Sequence, residues 1–354
     1  MSGQVFPAVV AILFGAVAGL VLFVPVVALS YRRRGRLSVG RLGFWAASLV
    51  YFLAIWSYTL LPIPASDDYR CAGAVLSLAP TVDDVVGAFA DGSPLTDVRL
   101  LQVVFNVLLF VPLGFLIRVV GRRGVVLGVL AGLVLSLFIE TTQLTGVWGI
   151  FPCGYRLFDA GDLLTNTLGA LIGSVLGLIV PARLRGVEKA ADAGAPRPVT
   201  RGRRLLGAVC DLVGTAILAG AAGTVVQLFL QFALRREDLV SDGVIADVAS
   251  GWVPIVVWLG VTLATGRTVG DLCVELRYDG GRFPEPVGRL LRFTGGIGGY
   301  LLLGELGAVG GILVVAFVVT WLVLLFATPA GRGLPGVVSG RRLVDARASE
   351  PVAH

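Results

Sequence analysis

Apolar runs of roughly twenty residues recur along this chain, and each is long enough to cross the ~30 Å hydrocarbon core of a bilayer as a helix. They do not alternate apolar with polar residues, which excludes the strands of a membrane barrel. Composition agrees: of 354 residues, 56% are hydrophobic and 15% charged, against about 25% charged in soluble domains. The mean hydropathy is +0.88. The expected fold is therefore all-α, a polytopic helical membrane protein of two bundles. The runs fall at residues 5–28, 44–61, 100–119, 125–147, 163–180, 205–232 and 252–265. A last stretch, 293–327, would be ~50 Å long as one helix. Splitting it near residues 305–311, where glycines cluster, gives about nine passes.

Nearly all of the 29 basic residues lie in segments on one side if the N-terminus is outside. These include Arg32, Arg33 and Arg34, then Arg122 and Arg123, then Arg201, Arg203 and Arg204. Short basic loops stay in the cytoplasm, so the C-terminus is expected there, in a bacterial plasma membrane. The first run has its arginines behind it and none ahead, which reads as an uncleaved anchor. The net charge of +6 is accounted for by these helix-end arginines facing anionic lipid, so membrane lipids, and no nucleic acid, are the expected partners. Residues 186–200, polar and rich in Ala, Gly and Pro, read as a cytoplasmic linker between bundles at 1–185 and 201–338. Residues 339–354 read as a disordered tail, and oligomeric state is not legible.

Against this apolar background, Asn106, Glu140, Gln143, Arg156, Asp159, Asp162 and Asn166 fall near one level in or beside three spans. Ionisable groups in a bilayer cost several kcal/mol unless paired or wet, so a cluster of them marks a candidate ligand-binding site. Glu140 is the deepest, and its carboxylate is expected to be protonated or partnered, with Arg156 the natural partner. Glu140 and Gln143 share a helix face, as do Asp162 and Asn166. Asp159 and Asp162 also fit a simpler role, a helix N-cap followed by an acid in the first turn.

Cys71 and Cys153 fall in outer loops, where an oxidising exterior permits a disulfide, although sequence supplies no distance. Cys210 and Cys273 read as packing residues. The only histidine is His354, and no phosphate loop or nucleophile elbow is present, so no enzyme activity, metal or cofactor is expected. Asp279, Gly280 and Gly281 read as a hairpin turn leading to an interfacial helix at 286–292.

The string from Asn106 through Pro112 and Gly114, then Glu140 and Gln143, then Arg156 to Asp162 with Asn166 and Gly169, resembles the three-part signature of the VanZ-like membrane family. That resemblance implies a role in low-level resistance to teicoplanin-type glycopeptides and no established enzyme activity. The second half is similar to the RDD family: Arg204 with Asp211, then Gly266 to Gly270, then Arg292. It departs from that pattern where Asp271 stands in place of the usual lysine and where Gly336 lies near the usual last aspartate. The expected function is recognition, at an outer-leaflet cavity, of a lipid headgroup, cell-wall precursor or lipoglycopeptide. The alternative is a proton- or cation-coupled transporter using Glu140 and Asp211.

Overall fold

The computed structural model describes residues 2–61, 64, 69–92, 94–182, 185–186, 190 and 192–348. Eight helices among the described residues are long and apolar enough to cross a membrane, which makes the chain an all-α, multi-pass membrane protein. They belong to two compact units, Met1–Ala16 with Phe44–Glu188, and Val17–Gly43 with Lys189–His354. This differs from the division expected at residue 186. The later part of helix α1, Ser2–Arg34, belongs to the second unit, because Val27 and Tyr31 are buried there with Cys210, Cys273 and Leu276. No break in hydropathy marks that change of allegiance.

In the first unit, α2 (Val39–Leu60), α4 (Val98–Val119), α5 (Val125–Leu144) and α7 (Ala160–Leu176) form the bundle. A Cβ at Gly114, Gly169 or Gly173 would land on the carbonyl oxygens of Ala170, Val107 and Val111. Those glycines therefore let α4 and α7 meet backbone to backbone, the small-residue packing that substitutes for the hydrophobic effect in lipid. Ile55, Phe110 and Ile139 fill the centre. At one end lie α3 (Ala79–Ala90), the turn α6 (Gly146–Gly149), and the short parallel pair β1 (Ala74–Val75) and β2 (Phe158–Asp159). The Cys71–Cys153 disulfide forms at this end, with Cα atoms 5.6 Å apart.

The second unit contains α8 (Arg201–Leu228), continued by a wider turn at Phe229–Ala233, then α9 (Glu237–Asp242) and α10 (Val244–Thr265). It goes on through α11 (Val269–Cys273), β3 (Leu276–Asp279), α12 (Glu285–Thr294), α13 (Ile297–Gly304), α14 (Gly307–Ala327), α15 (Gly333–Ser339) and β4 (Arg342–Asp345). The stretch 293–327 is indeed broken beside Glu305, but its first part is also broken, at Gly295 and Gly296. Arg292 reaches the Gly266 carbonyl at one end of α10, and the Glu305 carboxylate lies against Gly251 towards the other. The chain from Arg292 to Glu305 thus runs antiparallel to α10, and its helix α13, eight residues long, is not among the eight candidate spans. Helix α10 begins at Val244 rather than 252, because Gly243 in a left-handed conformation (φ 73) starts it ahead of the polar Asp247.

Two further expectations are corrected. Strand β3 pairs antiparallel with β4, so the turn at Gly280 and Gly281 leads to α12 rather than closing a local hairpin. Helix α12 is two-faced: it turns Arg292 inward, only 1% exposed, and leaves Val287 and Leu290 44% and 47% exposed. The expected disordered tail is ordered through β4, which buries Leu343 and Asp345, while residues 349–354 lie outside the described residues. The linker is tied down as well: the Ala190 N–H donates to the Arg33 carbonyl, and that of Arg197 to the Asp345 carboxylate. Its residues 187–189 and 191 lie outside the described residues.

Candidate functional site

The end of the first unit that carries the disulfide gathers all seven sequence-selected polar residues. Asp159 is extended (φ −124, ψ 118) and its carboxylate accepts from the Gly161 N–H at 2.7 Å, the N-cap of α7. Asp162 in the next turn accepts from the Asn106 amide of α4 at 2.5 Å. Glu140, in the last turns of α5 and 2% exposed, accepts from the Asp159 backbone N–H at 3.0 Å. One turn deeper along α7, the Asn166 amide donates to Ser136 at 2.9 Å, and its own oxygen has no partner among the described residues.

The expected Glu140–Arg156 pair is not formed. Arg156 instead donates to the carbonyls of Thr59 at 2.9 Å and Leu61 at 2.7 Å, while Gln143 donates to the same Thr59 oxygen at 2.5 Å. These carbonyls belong to the last turn of α2 and the residue beyond it, where no helical N–H remains to satisfy them. A guanidinium there meets both the orphan acceptors and the negative end of the helix dipole. Tyr155 adds a bond to the Leu60 carbonyl at 3.0 Å. The loop 153–156 thus clamps α2, and Tyr69 clamps the loop through the Cys153 carbonyl at 2.7 Å.

With Arg156 committed to carbonyls, Glu140, Asp159 and Asp162 stand together with only neutral donors bonded to them among the described residues. Carboxylates so placed are able to accept hydrogen bonds from a cation or an amine. Its rim is held rigidly: Val147 and Trp148 have φ 55 and 58, a conformation costly for a β-branched residue, fixed by Trp148 bonds to Thr142 and Thr145. Away from that end, past Asn166, Gly132 faces Ala170 and Gly128 faces Ser174 in close contact, so the bundle is tightly packed below the acids. Sequence reading missed Thr59, Ser136, Tyr69 and Tyr155. Tyr155 adjoins Arg156, a usable signal, whereas a carbonyl acceptor such as that of Thr59 has none.

The second-half residues Arg204, Asp211 and Arg292 form a different centre. Asp271 of α11 bonds Arg204 at 3.0 Å and is in direct contact with Arg292. Asp211 accepts from three neutral donors: Trp258 Nε1 at 2.9 Å, Thr268 Oγ1 at 2.7 Å and the Gly270 N–H at 2.7 Å. Arg203 pairs with Asp345 at 2.7 Å. Asp271 is therefore the acid on which two arginines converge. Cys210 and Cys273 are buried and form no disulfide, in the packing role expected.

Residues 44–181 match the family model VanZ/LLP1. This range takes in α4, α5, α7, all of α2 but its first turn, and every residue of the acidic end. No curated protein and no solved structure matches the chain.

Proposed function

We propose that the first unit is a receptor, on the outer face of a bacterial plasma membrane, for an amine-bearing amphiphile of the cell envelope or a lipoglycopeptide of the teicoplanin type. In this reading Asp162 and Glu140 receive the ligand's cationic group, Asn106 and Asp159 fix those carboxylates, and Asn166 offers its spare oxygen. Arg156 and Gln143 hold the end of α2 in place and do not meet the ligand's anionic groups. The observation that supports this most is the commitment of Arg156 to two carbonyls, which leaves three acids with no cation of their own. The link of VanZ-like domains to glycopeptide resistance supports the choice of ligand. The chain catalyses no reaction in this account. The close packing of Gly128, Gly132 and Gly173 below the acids weighs against a conducting path through this bundle. We read the second unit as an RDD-like scaffold.

The test is growth of a susceptible bacterial host expressing the full chain. Teicoplanin tolerance should rise with the native chain and fall to the host's level with Asp162→Asn or Glu140→Gln at equal membrane abundance. Full tolerance in both well-expressed variants would remove the acids from the function.

A further inference from the structure

Helix α3 of the first unit has 12 residues, a length of ~18 Å, and is too short to cross a bilayer. It nevertheless turns an apolar stripe outward: Val82, Val86 and Phe89, at helical spacing, are 56%, 60% and 63% exposed. Asp83 and Asp84 sit about 100° and 200° round the helix from Val82, off that stripe. On the side facing the bundle, Ala88 is fully buried. A contiguous apolar stripe left open in this way marks a surface that something apolar covers.

Two contacts fix the direction and depth of α3. Thr81, in its first turn, fills the space that a side chain on Gly161 would need, at the start of α7. At the other end the Arg99 guanidinium covers Gly87 and bonds Asp91 at 2.5 Å and Asp97 at 2.7 Å. Gly161 adjoins Asp162, which is bonded to Asn106, and Asn106 lies two turns, about 10 Å, along α4 from Arg99. Helix α3 therefore folds back along the first two turns of α4, with its Thr81 end the deeper. With 22 residues, α4 is ~33 Å long, hardly more than the ~30 Å apolar core, so those two turns are needed to complete its crossing. In them Val98 and Phe105, on one face, are 77% and 59% exposed. The stripe of α3 thus lies at a depth where a membrane span already turns apolar side chains outward, and the charged group of Arg99, Asp91 and Asp97 stands at its shallow end.

We propose that α3 is immersed in the leaflet at the disulfide-bearing end, with Val82, Val86 and Phe89 against phospholipid acyl chains and Asp91 at the headgroups. Helices α3 and α4 then form a hairpin that re-enters the membrane, rather than an external loop followed by a span. The stripe requires no particular headgroup, since only apolar side chains meet the lipid. A second copy of this chain is the competing occupant, and the shared depth with the lipid-facing turns of α4 favours lipid.

Nitroxide labels placed one at a time at Val82→Cys, Val86→Cys and Phe89→Cys, in the full chain in phosphatidylcholine bilayers, test this by electron paramagnetic resonance. Oxygen serves as the apolar relaxant and a water-soluble nickel chelate as the polar one. All three labels should favour oxygen, as should one at Phe105→Cys on α4, and the Val82 label should lie about 5–10 Å deeper than that at Phe89. The native chain, with Cys210 and Cys273 buried and the other two cysteines bonded, supplies the unlabelled blank. Three positions on one stripe keep the test decisive where one variant fails to fold. Labels that favour nickel would place α3 in water. Labels shielded from both relaxants, or broadened by dipolar coupling to another copy, would put protein on the stripe. Either result, or a Phe89 label deeper than that at Val82, would overturn the proposal.

Discussion

The two units handle buried charge in opposite ways. In the second, Asp271 is set against Arg204 and Arg292, and Asp345 against Arg203, so arginine and carboxylate neutralise each other inside the protein. In the first, Arg156, among the described residues the one basic group near three acids, turns away to cap α2, and the described partners of the acids are an amide and backbone N–H groups. Paired charges fix an architecture, and breaking such a pair leaves an uncompensated ion. Unpaired acids cost stability in the absence of a partner, which is what a site for an external cation looks like from within. A cluster of ionisable residues in a membrane thus carries no single meaning until its internal partners are known.

The largest effect expected from this contrast is that of Asp271→Ala, which strands two buried arginines. It should cost ~3–5 kcal/mol, read as loss of membrane abundance or a lowered midpoint of thermal unfolding in detergent. Asp162→Ala should cost no more than ~1 kcal/mol by the same measure, and a reversed order would break the comparison. Next is Cys71→Ser, which opens a link between residues 82 apart in sequence. It should cost ~2–4 kcal/mol, and reducing agent should lower the midpoint of the native chain while leaving that of the variant unchanged. Arg156→Ala should cost ~1–3 kcal/mol by stranding the α2 carbonyls. Arg156→Lys should recover only part of this, since an ammonium does not span two acceptors in a fixed fork.

The smallest effect concerns pH at the surface of the second unit. Hydrogen bonds from Arg341 and then Arg289 hold the Glu285 carboxyl down to about 2. A carboxyl depressed on folding adds stability above its unfolded value, and that stability is lost as pH falls through the folded one. Acid titration from about pH 4.5 towards 2 should therefore remove a small increment of stability, absent in Glu285→Gln. A titration of that variant indistinguishable from the native one would show that the pair contributes nothing.

Much of this was legible in the residue order. Hydropathy alone located the long helices, and the convergence of Asn106, Glu140 and Asp162 followed from their common depth. The cap at Asp159 was readable because capping is local. What sequence did not carry was pairing between groups far apart along the chain. Depth alone pairs Arg156 with the Glu140 carboxylate, whereas the carbonyls ending α2 compete for it and carry no sequence signature. Strand β4 looks like tail in the sequence because its partner, β3, lies more than sixty residues earlier. The allegiance of Val27 and Tyr31 to the second unit was hidden because a lipid-facing and a protein-facing Val–Leu helix have the same composition.

The contrast between available and neutralised acids is tested most directly by carboxylate labelling. The full chain in vesicles is treated with a carbodiimide and a small amine, digested, and its modified acids are mapped by mass spectrometry. The account predicts modification at Asp162, suppressed when an amine-bearing ligand such as teicoplanin is present, and none at Asp271. An inert Asp162, or labelling of Asp271 to the same extent, would contradict it.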